Sequence, residues 1–156
     1  MSSPLSIRIA TRDDASSIAE FNVIFAKANE NRQLSLPVTA AGVRRVFDTF
    51  NNGLYIVAER DKEIIGTTMV TREWSDWSNG FFYCIQDIFV QENDPEYKIH
   101  DALLDKVTLL AAEHEDVCGI RLYVHKNDTQ TQEHYKDKGL KKTKYRIYEM
   151  FNKDAK

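Results

Sequence analysis

Apolar and polar positions recur with two distinct periods along this 156-residue chain, and the switches between them mark its elements. Ile7-Arg-Ile-Ala10 reads as a short strand. Thr11-Arg-Asp-Asp14 fits a capping box, a hydroxyl and a carboxylate three residues apart that satisfy the orphan N–H groups of a helix start. Ala15, Ile18, Ala19, Phe21, Asn22, Phe25 and Ala26 fall mostly on one 3.6-residue face, which predicts a helix to about Asn29, broken by Leu34-Ser-Leu-Pro37. Thr39 can cap a second helix with Val43, Val46, Phe47 and Phe50 as its apolar stripe, ended by Asn51-Asn-Gly53. Three strands follow at Leu54 to Glu59, Glu63 to Trp74 and Phe81 to Val90, with turns at Asp61-Lys62 and Asn79-Gly80. Leu103, Leu104, Val107, Leu110 and Ala111 form one buried helix face running to about Glu115. Ile120 to Val124 reads as a strand, Thr129 to Lys138 as a short helix and Leu140 to Phe151 as a final long strand. The order β, α, α, β, β, β, α, β, α, β is a mixed α/β (α+β) pattern, an antiparallel meander followed by a crossover helix, and no linker or repeat divides residues 5–152 into more than one domain.

Composition narrows the function classes. With 42% hydrophobic residues the chain can bury a core that needs no disulfide or metal staple. Its net charge of −3 is made of interspersed acids and bases, so neither a nucleic-acid footprint nor a polybasic membrane segment is expected, whereas a cationic small molecule is easily accommodated. Cys84 and Cys118 lie far from CxxC spacing and read as reduced thiols of a cytosolic protein. The first six residues have no signal-peptide core and no apolar run approaches the roughly 20 residues that span a bilayer, so a soluble, cytoplasmic protein is expected. His100, His114, His125 and His134 show no metal-ligand spacing, and no metal site is expected.

Asp87 is the outlier in its strand. Alternation would put Tyr83, Ile85, Asp87 and Phe89 on one face and Phe82, Cys84, Gln86, Ile88 and Val90 on the other. A carboxylate among Ile85, Ile88 and Phe89 has its pKa raised by desolvation, which suits a proton acceptor near neutral pH; a structural Asp paired to a backbone N–H or an Arg is the other reading. Glu30 at the end of the first helix, together with Glu73, Trp74, Asp76 and Trp77 beside the Asn-Gly turn, would present carboxylates and aromatic faces to an amine, with cation–π contacts worth about 0.5–2 kcal/mol. Alternatively the two tryptophans cover the core or a homodimer contact.

One segment carries more. Leu122-Tyr-Val-His-Lys-Asn-Asp-Thr-Gln-Thr-Gln-Glu-His-Tyr-Lys-Asp-Lys-Gly139, followed by Leu140-Lys-Lys-Thr-Lys-Tyr-Arg-Ile-Tyr148, reads as strand, polar turn, short helix, glycine stop and strand, and resembles the C-terminal half of GNAT-superfamily N-acetyltransferases. Gly53-Leu-Tyr-Ile-Val-Ala-Glu59 with Glu63-Ile-Ile-Gly-Thr-Thr-Met69 looks like the strand pair before the family's cofactor strand. Trp74-Ser-Asp-Trp-Ser-Asn-Gly80 with Ile85-Gln-Asp-Ile-Phe-Val90 is similar to small bacterial-type members and, more loosely, to diamine and polyamine acetyltransferases. The resemblance covers nearly the whole chain. It implies a mostly antiparallel sheet flanked by helices and splayed between Phe81 to Val90 and Ile120 to Val124. It also implies acetyl-CoA held along the strand edge at Ile88, Phe89 and Val90 and at a helix N-terminus. A base and an acid complete the chemistry. Tyr135 stands where the family's acid stands, or else packs its helix on the sheet. Asp87 is the candidate base. Gln86-Asp87 corresponds to acidic positions of the polyamine enzymes with one acid replaced by an amide, which makes Gln86 a substrate contact, and Asp128 aligns with an asparagine on the pantetheine side.

The chain departs from the family at its phosphate loop, Gln/Arg-x-x-Gly-x-Gly/Ala. Alignment on Ala102-Leu-Leu104 places Pro95-Glu-Tyr-Lys-Ile-His100 there, without glycines, with a proline that has no N–H, and with Glu92, Asp94, Glu96 and Asp101 set against Lys98. Two readings follow. In one, main-chain N–H groups from Tyr97 through Lys98, Ile99 and His100 to Asp101 still cradle phosphates, Lys98 and His100 supply charge, and the protein acetylates a small primary amine. In the other, it is a GNAT-fold binding module that has lost the cofactor.

Overall fold

The computed structural model describes residues 3–91 and 93–152. Residues 1–123 and 124–156 form two compact units. The first contains β1 (Ser6–Ile9), α1 (Ala15–Glu30), α2 (Leu36–Val46), β2 (Leu54–Arg60), β3 (Glu63–Ser75), β4 (Gly80–Val90), α3 (Lys98–Glu113) and β5 (Val117–Leu122); the second contains α4 (Thr129–Asp137). The strands lie in the order β1-β2-β3-β4-β5, antiparallel up to β4 and parallel between β4 and β5. This is the mixed α/β class that the periodicities predict.

Each face of the sheet has its own core. Tyr55 and Val57 of β2 pack with Ala15, Ile18 and Ala19 of α1 and Val43 of α2, with Met69 of β3 against them. The other face meets α3: a Cβ placed on Gly66 would stand 3.2 Å from Leu103 and 3.4 Å from the Cβ of Ala58. Leu103 and Val107 are fully buried there.

The expected capping box forms, with the Thr11 N–H donating to Asp14 Oδ2 at 2.8 Å. Arg8 Nη1 and Nη2 clamp the same carboxylate at 2.7 and 3.0 Å and tie it to Glu59, so Asp14 is held below the usual carboxylate range. Asp61 and Lys62 both take positive φ, 54° and 66°, as a two-residue hairpin turn requires.

Three boundaries differ from expectation. Helix α2 begins at Leu36, ahead of Thr39, with Ser35 as its N-cap and Pro37 in the first turn, where the missing proline N–H is one of the orphans anyway. Strand β5 begins at Val117, not Ile120. Phe81 N–H bonds to Asp116 O at 2.7 Å, and Gly119 lets the Phe82 ring press on the strand, where a Cβ would meet it at 2.9 Å. The final strand at 140–151 is absent. A strand exists through its ladder, and among the described residues nothing pairs with this segment. No described helix is long and apolar enough to cross a membrane.

Candidate active site

The site in the first unit begins with a fault in the β3–β4 ladder. Thr68 faces Ile88 and Val70 faces Ile85, so Gln86 and Asp87 together oppose Met69. This is a β-bulge, and it breaks the strict alternation expected for β4. Ile85 and Tyr83 turn to the α3 face with Val70 and Arg72, whereas Phe89, opposite Thr67, turns to the α1 face. Gln86 also lies on the α1 side, its Nε2 donating to Thr71 Oγ1 at 3.0 Å. The carbonyl of Asp87 accepts from Thr68 Oγ1 at 2.7 Å, which satisfies a group the bulge would otherwise leave open.

The bulge is also where the sheet opens. The β4–β5 ladder runs from Phe81↔Val117 to Ile85↔Leu122 and ends with Tyr123 N–H on Ile85 O at 3.3 Å. From Gln86 to Val90, β4 has no partner on that side among the described residues. The edge formed by Ile88, Phe89 and Val90 is therefore free, as the splayed-sheet expectation required.

Asp87 sits at this opening. Its side chain is open to solvent, yet the protein packed around it disfavours the charged form, and Glu30 at the end of α1 adds like-charge repulsion; its pKa is raised to about 6. Beside it, Phe25 of α1 stacks on Phe89 at 4.9 Å and on Phe21 at 5.0 Å, an aromatic wall that the periodicity reading had treated only as helix face. A cleft of about 510 Å³ runs between α1 and α2 over Tyr55 and Met69, with Asn22, Thr39, Asn52 and the cationic Arg45 as polar lining. Since Met69 is the residue opposite the bulge, the floor of the cleft lies one strand away from Asp87.

Glu30 and Asp87 are thus brought together, but Trp74 and Asp76 are not brought to them. Trp74 pairs with Phe81, six residues from Asp87 along β4, which is about 20 Å at a strand rise of about 3.3 Å per residue. Trp74 packs edge-on against Phe81 at 4.8 Å, and Asp76 and Trp77 stand exposed on the hairpin tip.

The start of α3 holds a residue that the sequence reading had counted only as charge. Asp94 accepts the N–H groups of Lys98, Ile99 and His100 at 2.8, 2.9 and 2.9 Å. Three of the orphan amides of α3, the ones expected to cradle phosphates, converge on the chain's own carboxylate. The turn places Tyr97 in the left-handed region at φ 56°, a conformation for which glycine is the unstrained residue. Lys98 Nζ pairs with Glu96 at 2.8 Å on the surface, and the buried His100 ring lies 3.4 Å from Asp101 Oδ1, so both candidate charge partners are engaged within the chain. Glu92 lies outside the described residues.

In the second unit, Tyr135 is buried on α4, and the helix ends as Leu140 N–H bonds to Tyr135 O at 3.0 Å, with Gly139 at φ 94°. Asp128 caps α4 by accepting from Thr131 N–H at 3.1 Å, so its carboxylate is engaged at a helix end.

No protein-family model and no curated protein matches the chain. Solved structures do. One described as a possible acetyltransferase from Clostridium difficile 630 is 30% identical, with a TM-score of 0.85 over 95% of this chain and 97% of that one. A probable acetyltransferase is 17% identical with a TM-score of 0.82 over 96% and 99%. An aminoglycoside N-acetyltransferase in complex with CoA is 12% identical with a TM-score of 0.77 over 99% and 97%. The last two bear on the fold alone.

Proposed function

The chain belongs to the GNAT superfamily of acetyltransferases, and from that membership we propose that it is an N-acetyltransferase that moves the acetyl group of acetyl-CoA to a primary amine of a small molecule. The observation that carries the proposal is Asp87, a carboxylate with a pKa of about 6 on a bulge at the mouth of an open strand edge. Such a group is ionised at pH 7–8 yet more basic than an ordinary carboxylate, the combination a general base needs. Asp87 takes a proton from the acceptor ammonium. The freed nitrogen bonds to the thioester carbonyl carbon as the C–S bond breaks, the phenol of Tyr135 gives its proton to the departing thiolate, and the second proton that leaves the nitrogen as the neutral amide forms passes to solvent, from which the phenolate is reprotonated.

The edge at Ile88, Phe89 and Val90 fits the pantetheine arm, because its peptide groups lack a ladder partner on the β5 side. The start of α3 fits a pyrophosphate only once Asp94 withdraws, since Lys98, Ile99 and His100 N–H are engaged. That occupancy favours a second reading, a GNAT-fold binding module without cofactor, and it weakens the phosphate contribution in the first. For the acceptor, Asp87 and Glu30 together favour an amine carrying a second positive charge, such as a di- or polyamine, held beside these two carboxylates at the open edge.

The test is the pH dependence of kcat/KM. Below pH about 6 the wild-type rate should fall about tenfold per unit as Asp87 protonates. Asp87→Asn should lose that limb and drop by about 10²–10⁴-fold. An Asn variant with wild-type rate and profile would remove Asp87 from the mechanism.

A further inference from the structure

Gly42 stands in the interior of α2, between Ala41 and Val43. A glycine there weakens the helix relative to alanine, so its presence needs a reason other than helix propensity. Close packing is not the reason: a Cβ built on Gly42 meets no atom of the rest of the protein within 4 Å. Backbone conformation is not the reason either, because the positive-φ glycines are Gly53 and Gly139. What the missing side chain leaves free is the cleft between α1 and α2, which Gly42 lines with Val43 and Val46 above the floor of Tyr55 and Met69. At about 510 Å³ the cleft has the size of a small-molecule site.

The lining has one sign of charge. Arg45 is its single charged residue, and among the described residues the Arg45 guanidinium has no ion pair or hydrogen bond. Asp48, one turn further on, is already held by Arg12 at 2.6 Å. The neutral polar groups are fixed in place: Asn52 Nδ2 donates to Arg45 O at 2.7 Å, and the Tyr55 hydroxyl shares a hydrogen bond with the Asn22 side chain. A guanidinium above an apolar wall selects a ligand with one negative charge on an apolar body. A carboxylate meets the planar fork with two parallel hydrogen bonds, whereas a phosphate dianion would find one cation only.

This charge lies apart from the Asp87 and Glu30 carboxylates. The Arg12–Asp48 bridge sets the end of α2 beside the start of α1, and Arg45 belongs to that last turn of α2. Glu30 closes the far end of α1, about 22 Å from its start at a rise of 1.5 Å per residue. We propose that the α1–α2 cleft is a binding site for a small organic monocarboxylate, separate from the amine acceptor at the open edge. Arg45 holds the carboxylate, and Gly42 leaves room for the apolar body.

Calorimetric titration of the full chain with hexanoate, benzoate and 3-phenylpropanoate should give saturable binding for at least one of them, with a Kd of about 1 mM or tighter. Benzylamine and inorganic phosphate should bind at least about tenfold more weakly. Arg45→Gln should weaken the carboxylate by at least about tenfold. Gly42→Leu should abolish binding while leaving the thermal midpoint unchanged or raised, since leucine is the better helix former and its side chain enters open space. The proposal is overturned by no saturable binding of any of the three carboxylates up to about 20 mM, by phosphate binding as well as they do, by affinity indifferent to either variant, or by a lowered midpoint for Gly42→Leu. The readouts are binding and stability, so a failure of the acetyl-transfer reading would leave this site standing, and the reverse.

Discussion

Asp94 offers the sharpest perturbation. Its carboxylate takes three backbone N–H groups of α3 at 2.8–2.9 Å and fills the place where a phosphate would be drawn by the same amides and the helix dipole. Binding an anion there must uncap the helix, which costs about 0.5–2 kcal/mol. It must also bring charge to within about 5 Å of the carboxylate, a repulsion of about 3 kcal/mol at an effective dielectric of about 20 before salt screening. Asp94→Ala removes both penalties at once, so a net gain of about 1–3 kcal/mol is expected, a CoA affinity tighter by about 5- to 150-fold. Asp94→Asn keeps a capping oxygen but loses the charge and should fall between. Calorimetry with acetyl-CoA, dephospho-CoA and a pantetheine fragment isolates the effect, because only the phosphate-bearing ligands should respond. Unchanged or weaker acetyl-CoA binding by a folded Asp94→Ala protein, or an equal gain for the pantetheine fragment, would refute the idea that this carboxylate competes for the phosphate seat.

Tyr135→Phe should lower turnover while leaving acetyl-CoA affinity within about twofold, since only a phenolic proton is lost; equal turnover in steady-state assays would leave Tyr135 a packing residue. Gly53→Ala should destabilise the fold by more than about 2 kcal/mol, since φ is +116° and the new Cβ would stand 2.4 Å from Val70 O; thermal melts should show a loss of at least about 4 °C, and an unchanged midpoint would contradict the packing described.

Much of the fold was legible because its signals are local. The Thr11–Asp14 box and the Asp61-Lys62 turn each need only a few neighbouring residues and form as read, and the helix stripes locate α1, α2 and α3, although α2 runs from Leu36 to Val46 and stops short of Phe50. What was not legible depends on pairing between distant residues. The bulge at Gln86–Asp87 is a choice of register against β3, invisible to an alternation rule applied to one strand, and it moves Gln86 to the same face as Phe89. The early start of β5 depends on Gly119 meeting Phe82. Residues 140–151 carry the pattern of a strand, but a strand is defined by its ladder, and among the described residues none forms on this segment. Asp94 had a faint signal, the Asp-Pro step that favours a turn, but its three amide bonds exist only once α3 is built. Trp74 and Asp76 were grouped with Glu30 by residue type, and counting strand residues at about 3.3 Å each would have separated them.

The central claim, acetyl transfer at the open edge beside Asp87, is tested most directly by incubating the protein with about 1 mM acetyl-CoA and a panel of primary mono-, di- and polyamines at pH 8, and following product by mass spectrometry. The account predicts one N-acetyl group formed per CoA thiol released, with the highest rate for an acceptor bearing a second ammonium group. The claim fails if the folded protein and its Asp94→Ala variant form no acetylated amine.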